Sequence, residues 1–214
     1  MSEKVKPGYK QTEVGVIPED WDVKPLVNLS TEIGDGIHST PNYIKSSEFY
    51  FVNGNNLNDG KIIFKENTKR VSIVEYEKYK KKLTDRTVLV SINGTLGNVA
   101  FYNNEKIILG KSACYFNIIE GVDKHFVKYI LSSPYFLNYA HKEATGATIK
   151  NVSLKSMREF KIPLPSLTKQ QKIVHKLDKL RFETESLESI YQRKIAALEA
   201  LKKSLLHQAF AGEL

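Results

Sequence analysis

Pro163 and Pro165 are the last prolines of the chain, and no glycine follows them until Gly212. Beyond them, apolar residues recur at heptad spacing. Alternating steps of four and three from Ile173 reach Leu177, Leu180, Thr184, Leu187, Tyr191, Lys194, Leu198, Leu201 and Leu205. Eight of these ten positions are apolar, counting Tyr191; Thr184 and Lys194 are polar interruptions. Thr168-Lys-Gln-Gln171 has the spacing of an N-terminal capping box. A helix is therefore expected from about Thr168 to Gln208, spanning roughly 60 Å at 1.5 Å per residue. The preceding globule would be only about 35–40 Å across by the usual size scaling. Such a helix cannot bury its whole seam at home and calls for a partner helix. The alternative is a terminal helix partly packed on its own domain and partly frayed. The prolines mark the junction between a module over 1–165 and a spacer helix over 166–214.

Upstream, the pattern changes every few residues. The first twenty are polar and extended, and Trp21 and Leu26 are expected to anchor them to the core. EFYFVNG (48–54), KIIFK (61–65), TVLVSING (87–94), NVAFYN (98–103) and KIILGKSACYFNII (106–119) read as short strands with tight turns. VEYEKYKKKL (74–83) and HFVKYILSSPYFLNYAHKEA (125–144) read as helices, the second broken or kinked at Pro134. Short strands interrupted by a few helices predict an α+β domain.

At 41% hydrophobic residues the chain has material for a real core and is not a disordered segment. Its formal charge of +8 points toward a polyanion, although the charge alone does not separate that from an ordinary basic surface. A single cysteine, Cys114, excludes an intrachain disulfide and any Cys-based zinc site; the strand-like SACYF around it implies an inert core thiol. The N-terminus lacks a signal-peptide apolar region, and no run approaches the ~20 apolar residues of a membrane span. A soluble cytoplasmic protein without a membrane partner is expected.

Catalytic signatures fail one by one. GKS at 110–112 would need glycine at 105 to complete a phosphate-binding loop, and that position is Glu105. SPYF at 133–136 lacks the Asp/Asn-Pro-Pro start of the amino-methyltransferase tetrapeptide. The five histidines, His38, His125, His141, His175 and His207, have no metal-binding spacing. Cys114 has no base nearby in sequence, and G-x-S-x-G is missing. Neither a catalytic nor a metal site is expected.

What the chain does carry is a set of polar loops containing glycine, amides, hydroxyls and basic residues. Asn reads adenine edges, Lys takes guanine acceptors or phosphates, and Ser and Thr reach either. The candidate DNA contacts are His38, Ser39 and Thr40 in GDGIHSTPNY (34–43), and Asn55, Asn56 and Lys61 in NGNNLNDGK (53–61). Asn93, Thr95 and Asn98 in SINGTLGN (91–98), Lys111 and Ser112 in LGKSACY (109–115), and Thr148, Lys150 and Asn151 in GATIKN (146–151) complete the loops. Lys65, Lys69 and Arg70 add a basic cluster suited to a phosphate backbone. Asn53-Gly54 and Asn93-Gly94 also read as plain turn signals, and Lys80 to Lys82 as a solvated helix face.

GYKQTEVGVIPEDWDVKPL, GDGIHSTP, LVSINGTLGNVA, GATIKNVS and, above all, IPLPSLTKQQKIVHKLDKL with LKKSLLHQAFAGEL resemble the DNA-specificity subunit of Type I restriction–modification enzymes. The resemblance implies a target-recognition domain reading a few base pairs of double-stranded DNA, with helices forming an antiparallel coiled coil that sets the spacing between two such domains. It implies DNA adenine methyltransferase subunits as partners, with S-adenosylmethionine bound there and no cofactor on this chain, and a motor or restriction subunit as a further partner. Members of that family generally carry two recognition domains and two helical regions; this sequence has one of each. The expectation is a half-subunit that pairs as a homodimer to read a bipartite palindrome. A coiled-coil scaffold that binds no DNA, an enzyme with an unrecognised site, and the specificity subunit of a fused Type II enzyme are the alternatives.

Overall fold

The computed structural model describes residues 5–146 and 149–213. A hairpin of β1 (Tyr9–Thr12) and β2 (Gly15–Pro18) opens the chain, followed by β3 (Asp22–Pro25), a 3-10 turn (Leu26–Leu29) and β4 (Ser30–Asp35). Then come β5 (Tyr43–Ile44), β6 (Phe49–Val52), β7 (Leu57–Asn58), β8 (Lys61–Ile62) and β9 (Arg70–Val71). Helix α1 (Ile73–Tyr79) leads to β10 (Thr87–Ser91), β11 (Val99–Phe101), β12 (Ile107–Leu109) and β13 (Ala113–Ile118). The chain continues through α2 (Lys124–Leu131), α3 (Pro134–Glu143), α4 (Leu154–Glu159), β14 (Lys161–Leu164) and α5 (Leu167–Ala211). This is the mixed strand–helix architecture with a long C-terminal helix that the sequence predicts.

Two four-stranded sheets form the body of the first unit, one in the order β11-β10-β13-β4 and one in the order β12-β6-β9-β5. The first is antiparallel throughout. In the second, β12 runs parallel to β6 with Ile108 opposite Phe51, and the other pairs are antiparallel. Strand β12 is buried on both faces. Ile107 and Leu109 pack with Val52, Leu57, Leu89 and Tyr115, while Ile108 points the other way onto Phe49 and Val71, beside Tyr76 and Tyr79 of α1. That is the period-two alternation of a strand shared by two apolar layers. Cys114 lies fully buried in β13, and burial pushes its thiol well above the ordinary range.

The helical candidates are trimmed for local reasons. Helix α1 starts where the Ser72 hydroxyl accepts from the Glu75 N–H, and it stops at Tyr79. Lys80 to Lys82 therefore follow the helix instead of lining its face, and the Asn117 side-chain NH2 donates to the Lys82 carbonyl at 2.9 Å. Pro134 occupies the first turn of a new helix, so the 125–144 segment splits into α2 and α3. Phe136 and Phe160 meet edge to face at 5.0 Å, and Tyr139 donates to the Ser156 carbonyl, joining α3 to α4. Asn53-Gly54 opens a short 3-10 turn and not a hairpin; Asn53 is extended, with φ −114°. Leu26 is fully buried where Trp21 is only half-buried, so Leu26 and Leu29 anchor the N-terminal segment.

The chain divides into two compact units between Gln171 and Lys172. The first turn of α5 belongs to the globular unit, because Gln170 is buried there with both ends of its amide bonded. The helix begins at Leu167, so Thr168 lies inside the first turn and does not cap it. In the second unit, the seam residues Leu180, Leu187, Tyr191, Leu198, Leu201 and Leu205 are 43–65% exposed; Ile173 and Leu177 are half-buried. Exposed Ile190 and Ile195 flank Lys194 and widen the apolar stripe where the heptad is interrupted. The other interruption, Thr184, returns its hydroxyl proton to the Leu180 carbonyl. Among the described residues, no helix is long and apolar enough to cross a membrane.

Candidate nucleic-acid interface

Four of the five polar loops converge at strand ends. Asp35 closes β4, Asn93 follows β10, Lys111 sits in the turn between β12 and β13, and Asn151 precedes α4. Together with His38, they line a cleft of about 430 Å³ whose apolar floor includes Ile92, Val152 and Leu154. Gly36 makes this approach possible: a Cβ there would lie 2.0 Å from the Leu109 carbonyl oxygen. The glycine lets the Ile37 N–H donate to that carbonyl at 2.7 Å, and Ile37 bridges Gly110. His38 is thereby carried into the cleft that Lys111 also lines.

Inside the cleft the His38 Nε2 lies 2.8 Å from the Asp35 carboxylate. Across it, the Asn93 amide donates to the Asn151 side-chain oxygen at 3.0 Å, and the two residues also form a backbone bridge. Among the described residues, none bonds the remaining amide oxygen and amide NH2 of this pair. Lys111 is exposed, and no described residue forms an ion pair with it.

A second groove, of about 200 Å³, is lined by Tyr43, Phe51, Asn53, Asn55, Lys65, Asn67 and Lys69, among others. A trough of about 350 Å³ that shares Tyr43, Asn67, Thr68 and Lys69 also takes in Lys45 and Arg70. The Gly110–Ser112 turn links this groove to the first cleft. Lys111 faces the cleft, while the Ser112 hydroxyl accepts from the Gly54 N–H at 2.9 Å and donates to Asn53 at 3.0 Å.

The predicted contacts separate accordingly. His38, Asn93, Lys111 and Asn151 share the cleft, and Asn55, Lys65 and Lys69 share the groove. Ser39, Thr40, Thr95 and Lys150 are exposed on the same loops; Asn98 is half-buried, and its backbone N–H is held by the Ser91 hydroxyl. Lys61 is exposed on β8 but lines neither the cleft nor the groove. Thr148 lies outside the described residues.

Three predicted contacts are bonded within the fold. Asn56 is buried; its side-chain oxygen accepts from the Asn53 N–H, and its NH2 donates to the Ile63 carbonyl and Thr68 hydroxyl. Ser112 is spent on Gly54 and Asn53, as above. The Arg70 guanidinium donates one N–H to the Ser47 carbonyl and stacks on Tyr50 at 4.6 Å, and it also borders the trough. Sequence reasoning missed Asp35, Tyr43 and Asn67. Asp35 stands three residues before His38, a spacing that alone does not reveal a shared cleft.

The model for the Type I restriction modification DNA specificity domain matches residues 18–199. The chain is 23% identical over 93% of its length to the Type I restriction enzyme EcoBI specificity subunit of Escherichia coli, of which it covers 43%. It is 28% identical over 96% of its length to the putative type I restriction enzyme MjaX specificity subunit of Methanocaldococcus jannaschii, covering 46% of it. It therefore spans under half the length of these curated relatives. The fold is shared with the HsdS subunit of Thermoanaerobacter tengcongensis at a TM-score of 0.62 and 19% identity, over 97% of this chain and 48% of that one. With most of its length matched, from the residue before Glu19 to Glu199 in α5, the chain belongs to the Type I restriction modification DNA specificity domain family.

Proposed function

We propose that the globular unit reads a short sequence of double-stranded DNA through the cleft and groove, and that α5 pairs with a second helix to set the distance to another reading unit. The observation that carries this is the convergence of polar loops far apart in sequence, with Lys65, Lys69 and Lys111 exposed along them. Lysines toward phosphates and amides toward base edges are the two parts of direct readout.

The exposed apolar seam of α5 is the second support. A row of Leu and Tyr exposed along several turns supports reading α5 as one half of a coiled coil. In this reading two copies pair antiparallel about a two-fold axis, and the target is a split palindrome with an unread spacer. Adenine methyltransferase subunits dock on the pair and bind S-adenosylmethionine; this chain selects the site and they supply catalysis, with a restriction subunit joining for cleavage. A DNA substrate of this kind places the assembly in the cytoplasm.

The test is the mass of the purified chain by light scattering, combined with selection from a random duplex library. A dimer that enriches a split palindrome is expected. Removing one heptad from α5 brings the two readers closer by about 10 Å at 1.5 Å per residue, shortening the preferred spacer by roughly three base pairs. A chain that enriches no sequence and binds duplexes without salt dependence would overturn the reading in favour of a protein scaffold.

A further inference from the structure

The first cleft holds a carboxylate where a phosphate-binding surface would exclude one. Asp35 is fixed by its place in β4, where it pairs with Cys114 of β13, and its side chain is only 19% exposed. His38 lies over it with its side chain 71% exposed, and its Nε2 is 2.8 Å from the Asp35 Oδ2. A carboxylate can only accept a hydrogen bond, so the His38 Nε2 must carry the proton that joins them. In the neutral ring, the other nitrogen, Nδ1, is then an acceptor. No described residue bonds Nδ1, which leaves it for a ligand in a cleft that also offers the unspent amide groups of Asn93 and Asn151.

From this geometry we infer that Asp35 and His38 form a base-reading couple that selects an exocyclic amino group, adenine N6 or cytosine N4, on one strand of the target. The inference rests on the DNA-reading function proposed above. In the major groove adenine and cytosine present an amino donor, whereas guanine and thymine present carbonyl acceptors. An acceptor-only Nδ1 bonds the first pair and faces a lone pair on the second. The Asp35 charge adds to the selection, because it repels a phosphate and favours the positive edge of an amino group. His38 touches the base, and Asp35 is a positioning residue that holds its tautomer.

The couple is tested by ranking the 214-residue chain and two variants on a duplex library. The wild-type chain should show one position at which adenine or cytosine is preferred over guanine or thymine by roughly fivefold or more, the usual cost of one wrong base. His38→Ala should abolish the preference at that position alone and leave the salt dependence unchanged; the side chain is exposed, and an unchanged thermal midpoint shows that the fold is kept. Asp35→Asn keeps a hydrogen-bonding partner for Nε2, but its amide can donate as well as accept. Both tautomers then become accessible, and the preference should fall to within about twofold while overall affinity is retained. A purely structural role for Asp35 would instead lower affinity for every sequence equally. A selective wild type whose preferences all survive His38→Ala would overturn the couple but keep DNA reading. So would a His38→Ala variant that weakens all sequences alike with a shallower salt slope. A wild type that ranks no sequence above another removes both.

Discussion

Gln170 in the first turn of α5 accepts from the backbone N–H of Asp123, the residue that caps α2, at 2.8 Å. The same amide donates from its other end to the Pro165 carbonyl at 2.8 Å, and the side chain is 1% exposed. The Asp123 carboxylate meanwhile accepts from the His125 and Phe126 N–H groups. One buried glutamine thus ties the proline-bounded strand β14, the start of the long helix and the cap of α2 into a single joint.

Replacing Gln170 with Leu keeps the volume but strands a buried N–H and a buried carbonyl. The expected loss is about 2–6 kcal/mol, since each of the two buried groups left unpaired costs ~1–3 kcal/mol. Urea unfolding monitored by Trp21 fluorescence measures it, and a loss under half a kcal/mol would show that water replaces the amide without cost.

The exposed seam gives a test that leaves the globular unit alone. Leu187→Glu with Leu198→Glu places two like charges on the exposed seam that the proposed helix pairing would bury. Light scattering should show the paired species dissociating by at least a hundredfold in concentration, because burying even one unpaired charge costs several kcal/mol. Unfolding of the unit before Lys172 should be unchanged.

Lys69 is exposed on the groove, 5.8 Å from the centre of the Tyr43 ring. Lys69→Gln should weaken binding to all duplexes by a similar factor and reduce the salt slope by about one unit, the signature of one lost phosphate contact. Arg70→Gln is expected to act differently. It should lower stability through the lost Ser47 contact, with little change in slope.

Cys114 makes stability depend on alkaline pH. Burial holds its folded thiol protonated, with Asp35 adding to the effect, while an unfolded thiol ionises near ~8.5. The unfolded state then loses a proton that the folded state keeps, so stability is fully present below that value and falls as pH rises above it. Cys114→Ala should remove this component, and the native thiol should resist a thiol reagent until the chain unfolds.

Much of the local structure is legible from the chain alone. Pro134 and the apolar run around Cys114 declare the break before α3 and the course of β13, because φ restriction and β propensity act over a few residues. The heptad from Ile173 to Leu205 likewise declares a long helix with an unfilled seam, since its period depends only on spacing. Composition pointed to a polyanion, and the loop residues to DNA.

What the chain could not declare is which loops meet. The parallel pairing of β12 with β6 and the absence of a side chain at Gly36 bring His38 beside Lys111, across a sequence separation that no local pattern encodes. The same packing bonds the side chains of Asn56 and Ser112 within the fold, although their residue types alone suggest free contacts. Hydrogen-bonding groups buried by tertiary structure must be satisfied within it, so only the fold decides which polar side chains are left for a ligand.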